Sequence, residues 1–235
     1  AIRRQRQMCI RDSHERTAGM IAIIDYGVGN LFSLRSSLTH LGLEAVVTAD
    51  AQTIRKADRL ILPGVGAFGD AMDKLSATGL VPVIREQAAQ KPLLGICLGM
   101  QMAVVEFARN VLGYADADSR EMDEKTPHNV IDIMEEQKAI TNMGGTMRLG
   151  AYECVLQKGS KAYLAYGEEH IQERHRHRYE FNNDYKDRYE AAGMKCVGIN
   201  PESDLVEIVE IPKLKWFVGT QFHPCLLYTS PSPRD

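Results

Sequence analysis

The sequence predicts an α/β fold, an open and mostly parallel sheet flanked by helices. Three observations predict it. Short, wholly apolar runs alternate with amphipathic stretches through the first half of the chain. One of those runs, Leu93-Leu94, leads into Gly95-Ile96-Cys97-Leu98-Gly99 and then into the amphipathic stretch Met100 to Asn110, a strand-to-helix turn with a cysteine at its apex. A second strand-like run, Trp216 to Phe222, delivers His223 just before Pro224, which stops further pairing.

Taken in order, Ile21 to Ile24 is a short buried strand, and Leu31 to Leu41 a helix with its apolar positions on one face, ended by Gly42. Glu44 to Thr48 and Leu60 to Leu62 are strands. Asp70 to Leu75 and Val83 to Ala89 are helical, and the Cys97 turn follows. This β-α alternation implies right-handed crossovers and a parallel sheet. The second half is richer in strands: Thr146 to Leu156, Leu205 to Ile211 and Trp216 to Phe222, with short helices over Lys161 to Tyr166 and Asp184 to Ala192. No internal repeat is visible.

Composition fits one compact domain. Hydrophobic residues make up 44% of the 235-residue chain, ample for a core of that size. A net charge of -3 and a pI near 6.2 provide no general electrostatic reason to bind nucleic acid or membrane. No apolar run approaches the roughly 20 residues of a membrane helix, and no secretory leader is visible. Of the five cysteines, Cys97, Cys154 and Cys196 are scattered without C-x-x-C spacing, while Cys9 and Cys225 belong to the terminal tracts. A reduced, cytoplasmic protein without a metal site or cofactor is expected.

The Cys97 turn is the cysteine form of the G-x-S-x-G elbow. Glycines on either side let the backbone bend sharply, lift the sulfur clear of the sheet and leave the next amide free as an oxyanion donor. A helix N-terminus is also expected to lower the thiol's pKa. The plain alternative is a small buried cysteine that ends a core strand. His223 on the same carboxyl edge, where open α/β sheets bind ligands, favours a Cys-His pair over a surface histidine.

Two further motifs have duller readings. Gly27-Val28-Gly29-Asn30 follows a strand, but Phe32 stands where the third glycine of a dinucleotide loop belongs. The run Glu173 to Arg178 could be a basic patch or a metal site; such alternation more often means one face solvated and the other paired.

Gly95 to Gln101 (G-I-C-L-G-M-Q), Gln221 to Pro224 (Q-F-H-P) and Pro63 to Gly66 (P-G-V-G) together resemble the class I, or triad, glutamine amidotransferases, which have a flavodoxin-like fold. The resemblance implies a glutaminase that hydrolyses glutamine to glutamate and passes ammonia to a synthase. It implies Cys97 as nucleophile, His223 as base, the Val65 and Leu98 amides as oxyanion hole, and Gly64, Gly66 and Gln101 as substrate-binding.

From Met20 to about Gln101 the motifs are similar to the glutaminase subunit of imidazole glycerol phosphate synthase, whose partner is a separate (β/α)8 cyclase. From about Gly95 to Pro224 they are similar to the glutaminase domain of CTP synthase, whose partner is a synthetase domain. The two resemblances overlap only within 95–101, which implies a chimera joined there. The second resemblance implies that Glu121, in Ser119-Arg120-Glu121, and Arg178 grip the amino and carboxylate groups of glutamine. The family's triad glutamate, two residues after the histidine, is replaced by Cys225. No other carboxylate can be assigned its role from sequence: Glu207 and Glu210 lie on the preceding strand, and Asp235 ends the terminal tract.

Residues 1–19 and 225–235 resemble strings translated from adapter DNA and are expected to be disordered, leaving 20–224 as the amidotransferase domain. The missing glutamate also favours a second reading, a catalytically silent interaction domain of the same fold. A third is a different elbow-cysteine enzyme, such as a deglycase or a protease, which Gln101 and Q-F-H-P argue against.

Overall fold

The computed structural model describes residues 19–133 and 147–224. Of the terminal tracts only Gly19 is described; residues 1–18 and 225–235, Cys225 among them, lie outside the described residues, as does the expected strand start at Thr146.

The first half alternates as expected. Strand β1 (Ile21–Ile24) leads to helix α1 (Leu31–His40), β2 (Ala45–Thr48), α2 (Ala51–Lys56) and β3 (Arg59–Leu62). Two helices, α3 (Phe68–Ala77) and α4 (Val81–Ala88), precede β4 (Leu93–Ile96), and α5 (Leu98–Asn110) starts directly after Cys97. Side-chain caps fix several helix starts. Asn30 accepts from the Ser33 amide at 3.2 Å, and Asp50 from the Thr53 amide at 2.7 Å.

The second half is mainly strand. It contains β5 (Asp118–Ser119), β6 (Asn129–Ile133), β7 (Arg148–Leu156), helix α6 (Lys161–Tyr166), β8 (His170–His177) and β9 (Tyr179–Phe181). A 3-10 turn at Asn183–Tyr185 runs into α7 (Lys186–Ala192), followed by β10 (Lys195–Ile199), β11 (Val206–Glu210) and β12 (Phe217–Thr220).

Nine strands form one sheet in the order β2-β1-β3-β4-β12-β11-β10-β7-β8, and β5, β6 and β9 form a small second sheet. The five strands from β2 to β12 run parallel, while β11, β10, β7 and β8 continue the sheet antiparallel. The fold is thus the expected α/β architecture, with a parallel centre flanked by helices and an antiparallel extension.

Alternation along the parallel strands sorts their side chains onto two faces. Ala22, Ile24, Leu60 and Leu62 join residues of α2, α3, α4, α5 and α7 in the larger core, whereas Ile21, Ile61 and Ile96 pack under Leu34 and Leu38 of α1. Val197, Ile208 and Val218 form a third cluster with Ala162 of α6. The run Glu173 to His177 lies on β8, and its exposure alternates: Glu173, His175 and His177 are buried, Arg174 half-buried and Arg176 exposed. One face is paired and the other turned to solvent, which is the duller of the two readings of that run.

Candidate active site

Parallel pairing of β4 with β12 aligns Ile96 with Thr220, so the residues that follow, Cys97 and Gln221, leave neighbouring strands together at the carboxyl edge. His223 emerges two residues later. The Cys97 amide donates to the Thr220 carbonyl at 2.7 Å, which fastens the elbow to the strand beside it.

Cys97 itself has φ 54° and ψ -110°, outside the regions a non-glycine residue ordinarily occupies. Such a conformation costs about 1–3 kcal/mol and persists only where the surroundings enforce it. They do so here. A side chain at Gly99 would collide with the Leu62 carbonyl oxygen, and one at Gly64 would strike Leu98 Cβ and come 2.8 Å from the Tyr26 hydroxyl. Strand β3, the Pro63–Gly66 loop and the first turn of α5 therefore touch backbone to backbone.

Tyr26 is a functional residue that the sequence motifs did not single out. Its buried hydroxyl donates to the Pro63 carbonyl at 2.6 Å and so holds the loop carrying Val65, one of the two expected oxyanion donors. Val65 is partly exposed at the rim and Leu98 is buried beside the thiol.

Gln221 is the second such residue. Its side-chain amide donates to the Cys97 sulfur at 3.7 Å, and its own oxygen accepts from Gln101 at 3.1 Å. Gln101 also donates to the Tyr179 carbonyl at 2.8 Å. The Gln101 amide nitrogen is thus occupied, while its buried oxygen has no partner and points to a missing donor.

Burial pushes the Cys97 thiol up to about 12, and the Glu180 carboxyl adds to the rise; the Leu98 amide and Gln221 oppose it. The expected lowering by a helix N-terminus is present but outweighed by desolvation, because the sulfur is only 3% exposed. Burial presses His223 down to about 4, and the charges of His175, Arg174 and Arg176 push the same way. Thiol and imidazole are therefore both neutral at pH 7. Cys97 and His223 share no hydrogen bond; the His223 amide is held instead by the Arg174 carbonyl at 3.0 Å.

The remaining expected site residues lie on the neighbouring elements. Glu121 accepts from the Phe68 amide at 3.0 Å, at the otherwise uncapped start of α3. Burial raises the Tyr179 hydroxyl, with the Glu121 charge adding to the rise and Arg178 opposing it. Glu207 is paired with Arg148 at 2.8 Å, and Glu210 accepts from the Lys161 and Ala162 amides at the start of α6. Both carboxylates are engaged with these partners, and Glu207 also with His175.

The family model for glutamine amidotransferase class-I matches residues 22–229. The chain belongs to that family. Among relatives of this amidotransferase domain, the CTP synthase of Bacteroides thetaiotaomicron is 92% identical over 133 residues, 57% of this chain and 25% of that protein. The CTP synthase of Porphyromonas gingivalis is 51% identical over 197 residues, 83% of this chain and 34% of its own length. The chain thus spans about a quarter to a third of the curated relatives it matches.

Among solved structures, the Trypanosoma brucei CTPS glutaminase domain with bound acivicin superposes with a TM-score of 0.72 at 30% identity, covering 87% of this chain and 85% of that one. A glutamine amidotransferase of Thermotoga maritima, at 15% identity and TM-score 0.55 over 88% of this chain and 76% of that one, shares the fold.

Proposed function

We propose that this domain hydrolyses glutamine to glutamate and supplies the ammonia to the synthetase domain of a CTP synthase. The observation that carries this reading is the strained Cys97 elbow, tied at 2.7 Å to the strand that delivers His223.

Neutral His223 takes the thiol proton as the sulfur attacks the side-chain carbonyl carbon of glutamine. The oxyanion is received by the Leu98 and Val65 amides, and Gly64 and Gly66 keep that loop close to the substrate. The imidazolium then returns the proton to the leaving nitrogen, so ammonia departs and a thioester remains. Water, deprotonated by the same imidazole, releases glutamate and restores the thiol. Glu121 and Arg178 hold the amino and carboxylate ends of the substrate, and the free Gln101 oxygen accepts from its amino group. No cofactor or metal is required.

Cys225 stands where the triad glutamate belongs, so the imidazole lacks the carboxylate that fixes its tautomer, and turnover is slow rather than absent. We also infer that the first segment, to about Gln101, derives from an imidazole glycerol phosphate synthase relative; its Y-G-V-G-N and P-G-V-G-A-F motifs support this, while the alignment with the Porphyromonas gingivalis CTP synthase, over 83% of the chain, extends into that segment. Amplification across codons 95–101 from the source DNA tests the junction, and an unbroken CTP synthase reading frame there would refute it.

For the function itself, glutamate release by the purified chain is the test, with Cys97→Ala as control. Turnover that disappears in the variant is expected. A silent interaction domain would release none in either form.

A further inference from the structure

Beneath the site, the antiparallel half of the main sheet and β9 of the small sheet bury five ionisable side chains in one closed ring. Arg148 reaches Glu207 at 2.8 Å and Glu180 at 3.4 Å. From Glu207, contact passes to His175 Nε2 at 3.0 Å, without good hydrogen-bond alignment. His175 Nδ1 meets His177 Nε2 at 2.7 Å, and His177 Nδ1 faces Glu180 Oε1 at 3.7 Å. All five residues are at most 6% exposed.

Proton counting makes this ring unusual. Each of its three junctions, Glu207–His175, His175–His177 and His177–Glu180, needs one proton, yet two neutral imidazoles bring only one N–H each. Without a third proton, one junction sets two lone pairs face to face in a buried site, which is unfavourable. Two junctions lack an aligned hydrogen bond, Glu207–His175 and the wider His177–Glu180; Glu180 is the carboxylate held less closely by Arg148, at 3.4 Å against 2.8 Å for Glu207, so the third proton falls to its junction.

The ring touches the site at three points. His175 lies edge-on to Phe222, between Gln221 and His223, with ring centres 5.6 Å apart. The carbonyl of Arg174 holds the His223 amide at 3.0 Å. The carbonyl of Tyr179, next to Glu180, holds Gln101 at 2.8 Å.

We propose that His175, His177 and Glu180 are positioning residues for the glutaminase site, and that they work with one exchangeable proton held between Glu180 and His177. The proposal rests on the glutaminase reading for its functional meaning. When the proton is on Glu180, its O–H donates to His177 Nδ1, His177 Nε2–H donates to His175 Nδ1, and His175 Nε2–H turns to Glu207. When it leaves, a net negative charge is buried within reach of Cys97 and opposes formation of the thiolate.

The groups around this proton act in both directions. Glu180 faces Arg148 on β7, Glu207 on β11 and His177, and it acts on Cys97 at the elbow. His177 faces His175, Arg148 and His223. Cys154 of β7 lies beside Glu207 and Arg148. Burial, followed by Glu207, raises Glu180 to about 8 against the pull of Arg148, while burial, with the Arg148 guanidinium, holds His177 neutral.

The test compares iodoacetamide alkylation of Cys97, followed at its own peptide by mass spectrometry, in the full chain and in Glu180→Gln. Glutamine keeps the neutral form permanently. The ratio of variant to parent rates is expected to be about 1 at pH 6, where both are neutral, and about tenfold at pH 9.5, equivalent to about one unit in the thiol. A purely structural role would give the same ratio at every pH, and that result overturns the proposal. Should the variant not fold, 15N-histidine NMR of the parent decides. His177 is expected as a neutral Nε2–H tautomer at pH 6, with its Nδ1 signal moving as pH passes about 8. A static signal, or a cationic ring, overturns it. Neither readout needs turnover, so failure of the glutaminase reading would be seen separately.

Discussion

The parallel and antiparallel halves of the main sheet solve different problems. From β2 to β12 the strands are almost wholly apolar inside, and the site is shaped by backbone: glycines that let β3 and α5 approach, a strained cysteine, and one tyrosine hydroxyl on a carbonyl. From β11 to β8 the buried positions include Arg148, Glu173, His175, His177, Glu207 and Glu210, and order comes from ion pairs and hydrogen bonds. Cys97 stands on the first half. The histidine is held by both, since β12 delivers it and Arg174 of β8 anchors its amide. The first half therefore withstands apolar resizing, whereas the second depends on every member of its network being satisfied.

The largest test of this contrast is stability. Arg148→Met leaves Glu180 and Glu207 buried without their cation and should cost about 3–5 kcal/mol. Ile23→Val, in the middle of the fully buried β1, should cost about 0.5–1.5 kcal/mol. Urea unfolding of both variants measures the difference. Equal losses would erase the distinction between the halves.

Next is rescue of the missing acid. Cys225→Glu restores a carboxylate two residues beyond His223 and should raise glutamate release by roughly 10- to 1000-fold, less than the loss in serine triads because a thiol is the better nucleophile. An unchanged rate with Cys97 still reactive would place the limit in the geometry of the pocket, where a shift of about 1 Å can lose a hundredfold.

A pH profile of stability should follow. Glu180 is raised from 4.5 to about 8 in the folded chain, so its contribution is complete below pH 4.5 and is lost as pH rises towards 8. His223 and His177 are lowered from 6.5, so theirs is complete above pH 6.5 and is lost on acidification. The two trends oppose each other between pH 4.5 and 6.5. Above 6.5 only the Glu180 loss continues, at most about 2 kcal/mol by pH 8. Unfolding midpoints across that range should fall in the parent and stay level in Glu180→Gln.

The smallest effect belongs to Tyr26→Phe. Removing the hydroxyl frees the Pro63 carbonyl and should cost about 1 kcal/mol, felt as a roughly fivefold lower kcat with KM unchanged. A KM effect instead would mean that the loop binds substrate rather than the oxyanion.

The same contrast explains how much could be read from sequence alone. In the parallel half, buried strands are short apolar runs, so Ile21–Ile24, Leu60–Leu62 and the Cys97 turn were legible, with boundaries shifted by a residue or two. The short polar helix α2 lacks an apolar stripe and was not. In the other half, β8 was legible only as alternating charge, because the residues it buries are Glu173, His175 and His177. Strand β10 is interrupted by Gly198 and a register shift, and β6 and β9 pair across a separation of some fifty residues, beyond the reach of local pattern. Tyr26 and Gln221 lie inside recognisable motifs, yet their roles depend on contacts 37 and 124 residues away.

The central claim, that Cys97 is a glutamine-directed nucleophile served by His223, is tested most directly by covalent trapping. The purified chain would be treated with acivicin, the compound bound in the Trypanosoma brucei domain, and the adduct located by peptide mass spectrometry. The account predicts one adduct on Cys97, none on buried Cys154 or Cys196, protection by free glutamine, and at least about tenfold slower labelling in His223→Ala. Labelling that spreads over the other thiols, or that glutamine does not slow, would contradict it.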